Sequence, residues 1–89
     1  MPDRNLMQGW RPGLSGSSPA AVLEQILEAR SAVLDAVRAV ELIDLHGRDY
    51  VGREDSLSDD HRQRADILLQ LDDLGDRLYA AAEAVAKHR

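Results

Sequence analysis

The chain has no cysteine and no phenylalanine, and only three of its 89 residues are aromatic. Without cysteine, neither a disulfide framework nor a thiolate zinc site is available to stabilise the fold. Aromatic residues favour strands, whereas the alanine, leucine and arginine that are frequent here favour helices. The composition therefore predicts an all-α protein.

Long apolar runs are also missing. No stretch approaches the roughly 20 apolar residues that cross a bilayer, and residues 1–18 lack the apolar centre of a signal peptide. We therefore expect a cytoplasmic protein that does not interact with membranes.

Positive charge is scarce, since 11 basic residues face 16 acidic ones and the net charge is -5. The excess of negative charge opposes attraction to nucleic acid or to an anionic membrane, so we expect neither as a partner. Every basic residue except Lys87 is arginine, which together with the alanine content indicates a GC-rich bacterial or phage genome.

Residues 1–18 are predicted to form an extended N-terminal arm, because this segment has no periodic apolar pattern. Its helix-breaking residues are Gly9, Pro12, Gly13 and Gly16. The arm also carries Leu6, Met7, Trp10 and Leu14, which is more apolar content than a solvated linker requires. Trp10 is therefore a candidate binding residue, received by the folded part of the chain or by a partner. A disordered tail is the alternative.

A first helix is predicted over residues 19–46. Ser18 followed by Pro19 is a helix start, and Gly47 is suited to the left-handed residue that ends a helix. Between them, apolar residues recur at alternating spacings of four and three. They are Val22, Ile26, Ala29, Val33, Ala36, Val40 and Ile43. This heptad-like stripe is typical of coiled coils and helical bundles.

A second helix is predicted over residues 58–88, with Ser56 or Ser58 as its cap. Its stripe has the same three-four spacing. The members are Arg64, Ile67, Leu71, Leu74, Leu78, Ala81 and Val85. Gly75 lies beside this stripe, where the missing side chain is expected to permit close approach of another helix.

Residues 19–89 are therefore expected to form an antiparallel helical hairpin, closed by a loop over residues 47–57. A chain of this size buries only about 60% of its unfolded surface, and two helices cannot hide two wide apolar faces. A symmetric homodimer that forms a four-helix bundle is the simplest closure. A different partner protein, or the arm folded across the hairpin, would also cover these faces.

The loop end holds the segment Arg48, Asp49 and Tyr50, for which two interpretations stand. The segment can be structural, with charged groups tying the loop to the helix ends and the tyrosine hydroxyl reaching a carboxylate. It can also be a partner-binding surface, because arginine and tyrosine are enriched in binding hot spots.

The same end of the hairpin brings together four candidate metal ligands, Glu41, Asp44, His46 and His61. Oxygen and imidazole ligands suit iron, manganese or zinc. However, the Glu-x-x-His motifs of di-iron bundles are absent, so we expect no metal and no other cofactor. The sequence also lacks a glycine-rich phosphate loop and a nucleophile elbow, so we predict no catalytic residue and no enzymatic activity.

The sequence thus favours a small non-enzymatic protein–protein interaction module, such as an adaptor, accessory or regulatory subunit. Two alternatives stay open. One is a helical bundle that binds a metal or a small ligand as an accessory subunit. The other is an acidic inhibitor protein of bacterial or phage origin, since helix 2 carries several exposed carboxylates.

Overall fold

The computed structural model describes residues 5–13, 16 and 18–88. It contains two long helices, α1 (Pro19–Glu41) and α2 (Glu54–Ala86), and a 3-10 turn over Gly47–Tyr50 in the connection between them. The helices pack against each other along their length, and no strand occurs in the described residues. The prediction of an all-α helical hairpin is confirmed.

The start of α1 is the predicted one. The Ser18 Oγ accepts a hydrogen bond from the Ala21 N–H at 3.1 Å, and Pro19 occupies the first helical position. The serine thereby satisfies one of the amides that have no partner inside the helix, and proline loses nothing there because its nitrogen carries no hydrogen.

The end of α1 differs from the prediction, because the helix stops at Glu41 rather than near His46. The Arg64 guanidinium of α2 donates a hydrogen bond of 2.7 Å to the Ile43 carbonyl, which is thus satisfied outside the helix. Gly47 opens the 3-10 turn and does not have a positive φ, whereas Gly52 does, at 77°. The left-handed residue that the turn needs therefore comes five positions later than predicted.

The start of α2 also differs, since the helix begins at Glu54 and both predicted serine caps lie inside it. Arg53 stands at the cap position and its side chain makes no capping hydrogen bond. Glu54 and Asp55 occupy the first turn, where carboxylates interact favourably with the positive end of the helix dipole. These charges stabilise the helix start in place of a serine cap.

The buried core lies at the end of the hairpin where α1 begins and α2 ends. It consists of Ile26, Ala81, Ala82 and Val85, with Met7, Trp10, Val22, Leu23 and Leu78 packed against it. Farther along the helices, Gly75 is buried beside Val33, and a Cβ added to the glycine would lie 3.8 Å from Val33 Cγ1. The helices therefore approach closely at Gly75, as predicted.

The molecule is elongated, with principal dimensions of 64 × 29 × 16 Å. Its radius of gyration is 18.7 Å, whereas a compact domain of this length has about 12 Å. Neither helix holds, over the described residues, an apolar stretch of the length that a bilayer crossing needs. The elongated shape leaves much of each helix in contact with solvent.

Two glycine substitutions test the backbone assignments. We expect Gly75→Ala to raise the free energy of unfolding by about 1 kcal/mol, because alanine is the better helix former and its Cβ meets Val33 at an ordinary contact distance. We expect Gly52→Ala to lower it by about 1 kcal/mol, because the positive φ disfavours any Cβ although nothing lies within 4 Å. Urea unfolding followed by circular dichroism measures both, and effects of the same sign would contradict the assignment.

Candidate functional site

Tyr50 joins the connection between the helices to α2. Its hydroxyl donates a hydrogen bond of 2.7 Å to the Asp60 Oδ2, ten residues later. This bond raises the pKa of Tyr50 above its ordinary value of 10.0, because the hydroxyl proton is held by a carboxylate, and partial burial of the ring adds to the effect. One part of the structural interpretation, in which the tyrosine hydroxyl reaches a carboxylate, is confirmed.

Arg48 and Asp49 are both exposed on the 3-10 turn. The connection is held by Arg53 instead, whose guanidinium donates a hydrogen bond of 2.7 Å to the Asp49 backbone carbonyl. Among the described residues, the side chains of Arg48 and Asp49 make no ion pair or hydrogen bond that ties the loop to the helix ends, so this part of the structural interpretation is not borne out. The sequence placed Arg64 in the apolar stripe of the second helix and predicted neither the hydrogen bond from Arg53 nor the one from Arg64 to the Ile43 carbonyl, because backbone carbonyl acceptors leave no side-chain pattern.

The four candidate metal ligands are not brought together. The His46 Nε2 lies 3.0 Å from the Asp44 Oδ2 in an exposed pair, whereas the His61 Nδ1 lies 3.3 Å from the Arg64 guanidinium. Within the part of the chain that the structure describes, which includes Glu41, no three His, Asp or Glu side chains are placed to hold a metal ion. A cationic guanidinium beside His61 also opposes a second cation there.

The N-terminal arm lies against the helix pair at the core end. The Trp10 ring meets the His88 ring edge-on, with centroids 5.5 Å apart at 75°, and Met7 and Trp10 both pack against the core. A turn positions them, in which the Trp10 N–H bonds the Met7 carbonyl at 3.1 Å and Met7 adopts a φ of 71°. The surface that receives Trp10 is therefore the chain's own.

A first group of exposed apolar residues, which we call the loop surface, consists of Leu42, Ile43 and Val51. Leu42 and Val51 are 82% and 79% exposed, more than any other large apolar side chain in the described residues. Arg48 and Asp49 lie between these positions in the chain and are also exposed. This end of the hairpin thus exposes cationic and anionic groups beside the loop surface.

Two further apolar surfaces run along the helices. The α2 stripe contains Ile67, Leu71, Leu74 and Leu78, and Leu74 and Leu78 share a groove with Leu6, Val33 and Arg77. The name α1 stripe is used here for Leu23, Leu27 and Leu34, which lie beside the heptad-like stripe predicted for the first helix. Leu23 and Leu27 line a depression with Ala20, Glu24, Glu28 and Ser31. The Arg30 guanidinium, beside the α1 stripe, lies over the Tyr79 ring at 5.2 Å.

These features define the class of the protein as a two-helix hairpin with a docked N-terminal arm and uncovered apolar surfaces. Comparison with protein-family models, with curated protein sequences and with solved structures finds no match. The residues and surfaces of the chain itself therefore carry the functional argument.

The Tyr50–Asp60 hydrogen bond has a testable pH dependence. Because folding raises the pKa of Tyr50, the stabilisation is complete below the unfolded pKa near 10.0 and is lost as the pH rises through the higher folded pKa. In a Tyr79→Phe background, where Tyr50 is the remaining tyrosine, we expect Asp60→Asn to lower the pKa read from tyrosinate absorbance. An unchanged titration would show that Asp60 does not hold the proton.

Proposed function

We propose that this protein is a small non-enzymatic protein–protein interaction module, an adaptor, accessory or regulatory subunit, that works as a self-associated helical hairpin. The observation that supports this most is the amount of apolar surface that the single chain leaves uncovered. The exposed large apolar side chains include Leu27 and Leu34 on α1 and Ile67 and Leu74 on α2. They also include the three residues of the loop surface at one end of the hairpin.

The exposed area agrees with this proposal. The chain has 6858 Å² of accessible surface, whereas a compact monomer of its mass has about 5,200 Å². The excess, about 1,700 Å², is roughly twice the 800 Å² that each partner buries in an interface of standard size. A second copy therefore has enough surface on which to form a stable dimer, and two hairpins supply the helices of a four-helix bundle.

We also propose that the loop surface binds a different protein, with Arg48, Asp49 and Tyr50 contributing polar contacts. Arginine and tyrosine are enriched in binding hot spots, and here they lie beside exposed apolar residues along the chain. The loop surface lies at the end of the hairpin opposite the core and the docked arm. Self-association along the helices would leave it free. Trp10, which is half-buried against the core of its own chain, is not part of this proposed surface.

Native mass spectrometry of the full-length protein, purified without chelators, tests self-association. We expect twice the chain mass at micromolar concentration, and sedimentation equilibrium gives the dissociation constant. A monomer at every concentration would contradict the proposal. Stoichiometric added mass would instead favour the metal-binding or ligand-binding alternative.

A capture experiment tests the loop surface. Tagged wild type is compared with the double variant Leu42→Ser/Val51→Ser and with Leu69→Ser, an exposed leucine on α2 away from the loop. We expect a protein held by the wild type and by Leu69→Ser to be lost with the double variant. An unchanged set of bound proteins would contradict a binding role for this end.

A further inference from the structure

We infer that the second copy docks on the α2 stripe, through Ile67 and Leu74 together with Leu6 of the arm, and that the α1 stripe stays outside the dimer interface. This inference rests on the self-association proposed above and names its surface. The pairing is across a two-fold axis, so the same patch of each copy meets the other.

Two neighbouring rows of apolar residues, each with seven-residue spacing, run along α2, and part of one row is exposed to solvent. Leu71, Leu78 and Val85 recur at seven-residue spacing and are half-buried or buried, whereas Ile67, Leu74 and Ala81 form the neighbouring row. Ala81 is fully buried in the cluster that Met7 and Trp10 cover. Ile67 and Leu74 are left exposed, and the arm thus covers one end of the row.

The open part of the row continues into a groove that three segments build. Leu6 comes from the arm, Val33 from α1, and Leu74, Leu78 and Arg77 from α2. Four of these five residues are apolar, and Leu6 is itself more than half exposed. A helix from a second copy that is seated here would cover Leu74 and Leu6 at once, which no segment of the described chain does.

The α1 stripe is less suited to a second copy, because charged groups accompany it. Arg30 lies one turn from both Leu27 and Leu34, and its Nε is already shielded from solvent without a hydrogen-bond partner among the described residues. Docking here would remove more water from this cation, which costs free energy unless a new partner is supplied. The acidic residues Glu24 and Glu28 line the same side.

The charges beside Leu74 fit a symmetric interface better. Gln70, Asp73 and Arg77 border Leu74 on the surface of α2 and present an amide, a carboxylate and a guanidinium, respectively. Identical surfaces with both signs of charge can pair acid with base across a two-fold axis. Among the described residues, the depression beside Leu27 is lined by Glu24 and Glu28 and by no cation, so two copies of it would place like charges together.

Two matched double variants test the inference. Ile67→Glu/Leu74→Glu places charges on the α2 stripe at residues that are 47% and 42% exposed. Leu27→Glu/Leu34→Glu does the same on the α1 stripe, at residues that are 42% and 37% exposed and also seven apart. Sedimentation equilibrium measures the dimer dissociation constant of each, and circular dichroism measures its helix content.

We expect the α2 pair to weaken dimerisation at least about 100-fold, because two charges would be buried without partners. The α1 pair should stay within about threefold of the wild type, and both should retain their helix content because the four positions are exposed in the hairpin. Should the α2 glutamates unfold the chain, the milder pair Ile67→Ser/Leu74→Ser is measured against Leu27→Ser/Leu34→Ser.

The possible outcomes separate the two proposals. A monomeric wild type would overturn both self-association and its surface. A dimeric wild type that is unaffected by the α2 pair, or equally weakened by both pairs, would overturn only the choice of surface. Dissociation by the α2 pair alone would support it.

Discussion

Val85→Asp is expected to unfold the hairpin, whereas Val51→Asp leaves it folded. Val85 is fully buried in the core with Ile26 and the two alanines of α2, and the structure shows no buried polar or charged residue among the described residues that could pair with a new carboxylate. An unpaired buried charge costs about 3 to 5 kcal/mol. The whole stability of a domain is roughly 5 to 15 kcal/mol, and a small domain has little reserve.

The comparison with Val51 separates burial from the chemistry of the substitution. Val51 is exposed in the connection, so the same change places the carboxylate in water and should alter the free energy of unfolding by no more than about 0.5 kcal/mol. Thermal melting followed by circular dichroism at several protein concentrations measures both variants. Similar melting temperatures for the two would show that the core has been assigned to the wrong end of the hairpin.

Trp10→Ala is expected to lower the free energy of unfolding by about 2 kcal/mol. Truncation of a fully buried aromatic side chain to alanine costs about 3 to 5 kcal/mol of stability. The Trp10 ring is only half-buried against the core and His88, so a smaller loss is expected. Hydrogen exchange should also become faster at Ala81, Ala82 and Val85, because the arm that covers them is released. The control is Arg11→Ala, the exposed neighbour, which should be nearly neutral.

The same variant decides between the two roles that the sequence allowed for this tryptophan. If Trp10→Ala melts and exchanges like the wild type but loses a captured partner protein, the side chain acts in binding and its contact with the core contributes little. If it is destabilised as expected and, at low temperature, still captures the partner through the loop surface, its role is to hold the arm.

The sequence predicted those features that depend on residues close together in the chain. Ser18 and Pro19 are adjacent, so the start of α1 could be recognised from local chemistry alone. The three-four spacing of apolar residues likewise identified both helices and the face on which Gly75 meets Val33. One of the two interpretations had the tyrosine hydroxyl reaching a carboxylate, but the particular acid, Asp60, was not predicted.

Two of the misplaced positions, the end of α1 and the left-handed glycine, depend on how the connection folds back onto α2. The end of α1 involves a hydrogen bond from Arg64 to the Ile43 carbonyl, across 21 positions of the sequence, and Arg64 had been assigned to the apolar stripe. Gly47 and Gly52 were equally suited to a left-handed turn, and the path back to α2 selected the second. Dimerisation, protein partners, the cytoplasmic location and the absence of catalysis stay predictions.

By itself, the sequence determined that this protein is helical, where its first helix starts, and which faces of the helices are apolar. Periodicity and capping depend on residues within a few positions of one another, so they can be read along the chain. Only the tertiary structure decided that Trp10 packs against the core, that Arg64 holds the end of α1, and that Ile67 and Leu74 are left open. Each of these depends on which distant groups come together when the hairpin closes and on how much of each face the closed hairpin covers.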